Sequence, residues 1–413
     1  MQRLGYLVPE FPGQTHVFFW RELQSLAQLG VLCDLVSTRR PPRQLVTHDW
    51  SAQAMQRTTY LSPPELGLLA SALWELIRAG PAAWWRCAGA AMRADVRGAG
   101  NKIRLLALVF VGAELAALAR RRNWAHVHVH SAADSANIAL FAHLIGRISY
   151  SLALHGPLED YGPNQRAKWS HAAFGIVITQ KLLEQLRTGL AGALPPVIDL
   201  APMGVDASGF RRAGPYQPWD GRGPFRIFCC GRLNPCKGHD DLIRAVALLR
   251  QEGIDAILRI AGADDSLGRY QPVLENLIRQ LKLDAAVTLL GAVPEQTVRD
   301  ELQASHVFAL ASLHEPLGVA LMEAMSMSTP VVATGAGGVP ELVDDQVDGL
   351  LVEPRHPQQL AAALTRLARD GALATRLAEA ARKKIEASFQ SDQSARVLVR
   401  RLQSLHPRMI HAD

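Results

Sequence analysis

The chain of 413 residues predicts an α/β protein built as two doubly wound parallel-sheet domains facing a central cleft, on three observations. Short apolar runs alternate with stretches of helical period from Leu4 up to a helix opened by Thr179. The same alternation restarts at Phe225 and continues for the rest of the chain. Between the two arrays, Ala207 to Gly223 holds Gly209, Gly214, Pro215, Pro218, Gly221 and Gly223, the composition of a linker between compact units. So long a chain exceeds one ordinary core, and a second array therefore implies a second domain with a cleft at the seam.

In chain order, Leu4 to Val8 is a strand, followed by a helix that starts near Thr15 and ends at Gly30. Val31 to Val36 and, after a long insertion, His126 to His130 are the next strands. A helix over Ser135 to Leu144, strands Tyr150 to Leu154 and Gly175 to Ile178, and a helix capped by Thr179 complete the first array. The second array reads as strand Phe225 to Cys230, helix Asp240 to Arg250, strand Ile257 to Ala261, helix Pro272 to Leu281 and strand Val287 to Leu290. There follow a buried strand over His306 to Ala311, a helix with Pro316 in its first turn, and strands Thr329 to Ala333 and Leu350 to Val352. From Gln358 onward the period is helical, and the amphipathic Ala395 to Leu405 is expected to cross back and brace the first domain. The expected divisions are residues 1–206 with a helical insertion at about 50–124, a linker at 207–223, a second domain at 224–390, and a C-terminal helix within 391–413.

The 44 Lys and Arg against 38 Asp and Glu fit anionic ligands or a negatively charged membrane face. No stacking platform or recognition motif points to nucleic acid. The five cysteines form no C-x-x-C pair, so neither a disulfide framework nor a zinc site is indicated, and a reducing compartment is expected. Leu4 to Val8 is too short for a signal sequence, and the apolar Leu105 to Ala119 is interrupted by Glu114 and falls short of the roughly 20 residues that cross a bilayer. A cytoplasmic protein with no spanning helix is expected. The insertion carries Trp74, Trp84, Trp85 and Phe110 among Arg78, Arg86, Arg93, Arg97, Lys102, Arg104 and the run Arg120 to Arg122. The first expectation is that these aromatics pack onto the first sheet while the cations stay in water. The second is an interfacial surface, peripheral on the inner face of the cytoplasmic membrane.

Two constellations carry chemistry. Glu315 and Glu323 stand eight residues apart across a strand-to-helix junction, where ligands of open α/β sheets bind. The residue before a proline is extended, so Glu315 is expected in the loop and Glu323 inside the helix. The free N–H groups of Leu317, Gly318 and Val319 would open that helix and offer a place for a phosphate. The bland counterpart is that Glu315 caps the helix and Glu323 is solvated. In the second constellation Gly231, Arg232, Lys237 and Gly238 lie between a strand and a helix, where a forked and a point cation match a diphosphate and would stabilise it without a metal.

Gly231-Arg-Leu-Asn-Pro-Cys-Lys-Gly238, Glu315-Pro-Leu-Gly-Val-Ala-Leu-Met-Glu323, Gly338-Val-Pro-Glu-Leu-Val and Asp348-Gly-Leu-Leu-Val-Glu-Pro354 resemble, in order and spacing, the donor-domain motifs of retaining glycosyltransferases of family 4. The first half is similar, more loosely, to the exopolysaccharide or colanic-acid branch, through Phe11-Pro-Gly-Gln-Thr-His-Val-Phe-Phe-Trp-Arg-Glu22, Val127-His-Val-His130, Ser151-Leu-Ala-Leu-His155 and Ala201-Pro-Met-Gly-Val-Asp206. The resemblance implies the GT-B fold of two Rossmann-like domains and transfer of a hexose from a nucleotide diphosphate sugar to a saccharide or lipid-linked acceptor, with retention and with no cofactor or metal.

It also implies roles. Glu323 would hold the ribose, Glu315 with the amides of Leu317 to Val319 the transferred sugar and its phosphate, and Arg232 and Lys237 the diphosphate. The backbone near Val293 would face the base, the Gly13 loop would close over the donor, and His155 would stand beside the reacting sugar. A strand-end histidine such as His155 is otherwise a structural hydrogen-bonder. His16, His130 and Asp134 are the acceptor-side candidates. His16 stands where many relatives of this branch carry an acidic residue, and Asp264 and Asp265 follow Gly262 where small residues are common. A non-catalytic sugar-nucleotide-binding or scaffold protein of a polysaccharide assembly system is the competing class.

Overall fold

The computed structural model describes residues 3–13, 16–42, 46, 48–63, 66–96, 98–264 and 268–407. Thr15, Arg97 and Asp265, named above, lie outside them. The chain divides into two units: Met1–Arg43, Trp50–Pro202 and Ser394–Asp413 form unit 1, and Gln44–Asp49 with Met203–Gln393 form unit 2.

Unit 1 runs β1 (Arg3–Glu10), α1 (Val17–Gln28), β2 (Cys33–Arg39), α2 (Ser51–Arg57), β3 (Thr59–Tyr60), α3 (Leu66–Arg93), α4 (Ala99–Arg121), β4 (Trp124–His130), α5 (Asp134–Gly146), β5 (Ser149–Leu154), α6 (Gln165–Ser170), β6 (Phe174–Val177), α7 (Gln180–Gly189) and β7 (Ile198–Leu200). Its strands form one seven-stranded parallel sheet in the order β3-β2-β1-β4-β5-β6-β7. The two strands not expected from sequence, β3 and β7, are edge strands of two and three residues, too short to carry a period. Thr179 caps α7 as its sequence position implied, its side chain accepting from the Leu182 amide.

Unit 2 runs β8 (Phe225–Cys230), α8 (His239–Gln251), β9 (Ala256–Ala261), α9 (Gln271–Gln280), β10 (Val287–Gly291), α10 (Glu295–Ala304), β11 (Val307–Leu310), α11 (Val319–Ser326), β12 (Val331–Thr334), α12 (Val339–Leu342), β13 (Leu350–Val352), α13 (Pro357–Arg369) and α14 (Gly371–Ser388). Its parallel sheet has the order β10-β9-β8-β11-β12-β13, so the winding reverses between β8 and β11. That reversal opens a crevice at the carboxyl ends of those two strands. The chain then returns to unit 1 as α15 (Asp392–Leu405), whose Ala395, Leu398 and Leu402 join Leu4, Tyr6, Phe19 and Leu23 in one buried cluster. Arg401 of α15 pairs with Asp199.

The structure corrects three expectations. The segment 207–223 is not a free linker: Phe210 is fully buried, and the Arg212 guanidinium donates to the carbonyls of Met327 (2.9 Å), Gln303 (2.6 Å) and Leu302 (2.7 Å). Helix carbonyl ends need such donors, and the arginine fork supplies them. Pro316 is not in a first turn, because α11 starts at Val319 behind Gly318, whose φ of +103° is open to glycine but strained for other residues. Nor do the tryptophans of the insertion pack onto the sheet: Trp74, Trp84 and Trp85 are 60%, 48% and 78% exposed. Helix α3, broken at Gly80 before Pro81, and α4 bury leucines and many small residues instead, and at Gly112 a Cβ would stand 2.6 Å from the Phe141 Cβ of α5. The three tryptophans stand on the outer face.

Candidate functional site

In unit 2 the loops that follow β8, β11 and β12 meet at the winding reversal. Strand β8 ends at Cys230, and the loop beyond it turns through a short 3-10 turn, Pro235–Lys237, that Asn234 caps by accepting from the Cys236 amide. The turn closes on Gly238 in the left-handed region (φ +62°), and a Cβ there would lie 2.0 Å from the Ala311 carbonyl oxygen. Only a glycine lets this loop sit against the end of β11. Its position is fixed further by the Leu313 amide donating to the Cys236 carbonyl (2.7 Å) and by the buried His239 ring, 3.0 Å from the Arg232 carbonyl. Burial holds His239 down to about 4, so the ring is neutral.

These contacts deliver Lys237 to Glu315. The Lys237 Nζ donates to Glu315 Oε2 at 2.6 Å, and the Ser312 hydroxyl donates to the same oxygen at 3.2 Å. Glu315 is 7% exposed, its carbonyl accepts from the Gly338 amide (2.9 Å), and a Cβ at Gly337 would stand 2.0 Å from that carbonyl oxygen. Sequence reading missed Gly337: the glycine is visible there, but not the backbone it touches. Helix α11 then opens beside the pair, with Gly318 as its N-cap and Leu317 one residue outside. The helix opening therefore presents the amides of Gly318, Val319 and Ala320, with Leu317 lying one residue before it. Glu323, inside α11, is 8% exposed rather than solvated, and its charge acts on the Cys230 thiol at the end of β8. The Cys229 thiol is pushed up to about 12 by burial and offers no nucleophile. Arg232 is exposed on the β8 loop, and Val293 is half-buried in the loop between β10 and α10. Asp264 accepts from the amides of Tyr270 (2.8 Å) and Gln271 (2.7 Å) and so tethers the start of α9.

Unit 1 gathers a second polar group. His126, His128 and His130 alternate along β4 and so share one face. The His130 Nδ1 lies 3.0 Å from the His155 Nε2, and its Nε2 lies 3.1 Å from Glu22 Oε2, which also accepts from the Tyr6 hydroxyl at 2.6 Å. The Ser151 hydroxyl joins His128 Nδ1 (2.7 Å) to His126 Nε2 (2.8 Å). Burial works against the Glu22 charge, but His130, His128 and Tyr6 outweigh it and hold the carboxyl well below the usual range. Burial lowers His155 to about 3, with His130 adding to the effect. Among the described residues, Glu22, His128 and His130 are the side chains whose ligand atoms gather closely enough to hold a metal ion, all within 4.8 Å of one another. Of the acceptor-side candidates, His130 thus contacts His155, whereas His16 covers Gly13 in an aromatic group with Phe11 and Phe19. Asp134 pairs with Arg104 at the start of α5. Glu22 closes the Phe11 to Glu22 segment, where sequence assigns it no role, Tyr6 lies in β1, and only the fold brings the two to the histidines.

Comparison with known proteins reads onto this geometry. Residues 221–384 match the family model described as Glycosyl transferases group 1. The amylovoran biosynthesis glycosyltransferase AmsK of Erwinia amylovora is 34% identical over 188 residues, covering 44% of this chain and 45% of that protein. The putative colanic acid biosynthesis glycosyltransferase WcaL of Salmonella typhimurium is 29% identical over 255 residues, 60% of this chain and 61% of that protein. The chain spans about half the length of the relatives it matches. Among solved structures, sucrose-phosphate synthase from Thermosynechococcus elongatus (TM-score 0.74, 19% identity) and Anabaena HepE in complex with UDP and glucose (TM-score 0.74, 18% identity) each cover 98% of this chain and 100% of their own. The fold is GT-B.

Proposed function

We propose that this chain, through its group 1 glycosyltransferase domain, transfers a hexose from a nucleotide diphosphate sugar to a hydroxyl of a saccharide or lipid-linked acceptor, with retention at the anomeric carbon, in assembly of a cell-surface polysaccharide or glycolipid. One observation carries the reading: Lys237 and Glu315 meet at 2.6 Å, beside the opening of α11 and at the reversal of the sheet. The cation and the helix amides suit a diphosphate, and the buried carboxylates suit sugar hydroxyls. In this reading Arg232 and Lys237 stabilise the charge on the departing nucleoside diphosphate without a metal, and Glu323 holds the ribose. Glu315, engaged by Lys237 and Ser312, binds hydroxyls rather than attacking the anomeric carbon. The proton of the acceptor passes to an oxygen of the leaving phosphate. His155, on the β5 end, is assigned to the reacting sugar.

The test is a screen of UDP-, GDP- and ADP-sugars for thermal stabilisation, followed by donor hydrolysis with the ligand that binds. A ligand specific for the folded form at about 100 times its Kd adds about 2.7 kcal/mol and raises the melting temperature. A screen in which no nucleotide sugar shifts the melting point rejects the assignment, and tight binding with no hydrolysis or transfer returns the sensor class.

We further assign the outer face of α3 and α4 to a membrane surface. Besides the tryptophans, Leu73, Ile77, Met92 and Ile103 are 55%, 64%, 59% and 66% exposed there. The two acids of these helices' described side chains, Glu75 and Glu114, are buried at 0% and 1%, so the charges this face shows to solvent include Arg78, Arg93, Arg104 and Arg121 but neither carboxylate. Apolar anchors rimmed by cations are the composition of an interfacial surface. Among the described residues no helix is long and apolar enough to cross a membrane. Co-sedimentation with vesicles rich in anionic phospholipid is expected to exceed that with purely zwitterionic vesicles, to fall as salt rises, and to drop in the Trp74→Ala/Trp85→Ala double variant. Equal partition onto both vesicle types would contradict it.

A further inference from the structure

Within unit 1 a cavity of about 540 Å³ lies between α4, the start of α5 and the ends of β1 and β2. Its volume is in the range of small-molecule sites. The lining mixes two chemistries. One part is hydrocarbon, from Val96, Leu105, Leu108 and Val111 with Ile138 of α5. The other is polar, from Arg39, Arg104, Asp134, Asn137 and Lys168. Two of these cations are paired, Arg39 with Glu10 and Arg104 with Asp134. Lys168 is different: it is 1% exposed, its Nζ donates to the carbonyl oxygens of Ala132 (2.6 Å) and Tyr161 (3.4 Å), and among the described residues no carboxylate pairs with it. A buried ammonium held only by carbonyls is costly unless a counter-charge arrives.

We propose that this cavity seats an amphiphilic acceptor with an anionic head, the head lying toward Lys168 and Arg104 and the first methylenes of its chain lying along Leu105, Leu108 and Val111. The inference rests on the transferase reading and names the acceptor class it would use. Burial lowers Lys168 to about 7, with Asp134 acting in the opposite sense, so a bound anion would favour its charged form. Leu105, Leu108 and Val111 of the hydrocarbon lining belong to α4, the helix that also exposes Ile103 and Leu106, so an acceptor's chain and the protein's own apolar face share one helix.

The probe is dodecyl phosphate, used below its micellar concentration on the full chain by calorimetry, with inorganic phosphate and octyl glucoside as separate arms. Dodecyl phosphate is expected to bind at least about tenfold more tightly than either, because only it engages both sides. Leu108→Trp, which fills the hydrocarbon side from a half-buried position, and Arg104→Ala, at the exposed rim, are each expected to weaken it about tenfold. Both should leave nucleotide-sugar binding as in the parent. The proposal is overturned by absence of dodecyl phosphate binding, by inorganic phosphate binding as tightly, or by affinity unchanged in both variants. Retained nucleotide-sugar binding and hydrolysis in the same preparation would show that the acceptor assignment alone had failed. Loss of donor binding would instead strike the transferase reading.

Discussion

Lys237→Ala is expected to lower kcat for transfer by about 10²–10³-fold, the range found when a preorganised donor to developing charge is removed. The leaving nucleoside diphosphate gains charge as the glycosidic bond breaks, and an interaction that strengthens at that point acts on kcat more than on KM. Lys237 sits 2.6 Å from Glu315 at 14% side-chain exposure, where solvent screens it poorly. The substitution also leaves Glu315, 7% exposed, with the Ser312 hydroxyl as its remaining side-chain donor, so a lower melting temperature is expected alongside. Pairing it with Lys237→Ala/Glu315→Gln separates the two effects. The double variant removes the stranded charge and should regain stability but not turnover. Near-parental kcat in a folded Lys237→Ala protein, established by circular dichroism and single-turnover transfer, would remove Lys237 from the mechanism.

Acid should destabilise both units, beginning near the ordinary histidine pKa of about 6.5. His126 and His155 in unit 1 are held down to about 3, and His239 and His306 in unit 2 to about 4, each chiefly by burial. Between those values and about 6.5 the unfolded chain binds protons that the folded chain refuses, so the free energy of unfolding falls as the pH falls. His126, His155 and His239 each add up to about 1.4 kcal/mol per pH unit to the slope, and the half-buried His306 adds less because solvent screens it. Glu22 acts in the same direction lower down: its folded carboxyl is depressed, so its stabilisation is present above about pH 4.3 and is lost as the pH falls further. Urea midpoints at pH 7.5, 6.0 and 5.0 should therefore decline in order. His126→Gln keeps groups able to bond Ser149 and Ser151 without titrating, and should flatten the decline. A midpoint that does not move between pH 7.5 and 5.0 would show that these rings accept protons in the folded state.

The elements with a strong period were legible. Strands β8 and β13 stand where the sequence placed them, because short runs rich in apolar residues and bounded by glycine or proline read as strands. The placement of Glu315 in a loop and of Glu323 inside a helix was legible too, since a residue before proline is held extended. What misled was local propensity without context. Proline is favoured in first turns, so Pro316 suggested a helix start, yet the chain delays α11 until after Gly318. Glycine and proline suggested a linker over 207–223, yet Arg212 and Phe210 anchor that segment to unit 2. Tryptophans suggested a core, yet α3 and α4 bury leucines and small residues instead and leave them outside.

The linear order of residues by itself determined two parallel α/β arrays, the apolar and polar faces of their elements, and the presence of cations and carboxylates at strand ends, because these depend on interactions within a few residues. Tertiary structure alone decided which distant groups meet. Lys237 reaches Glu315 across 78 positions because β8 and β11 are neighbours in the sheet, and Glu22 reaches His130 from the part of α1 that also sets Phe19 against the His130 ring. The glycine at 238 permits the first of these contacts only because a carbonyl lies 2.0 Å from where its Cβ would be, a distance that no local pattern encodes.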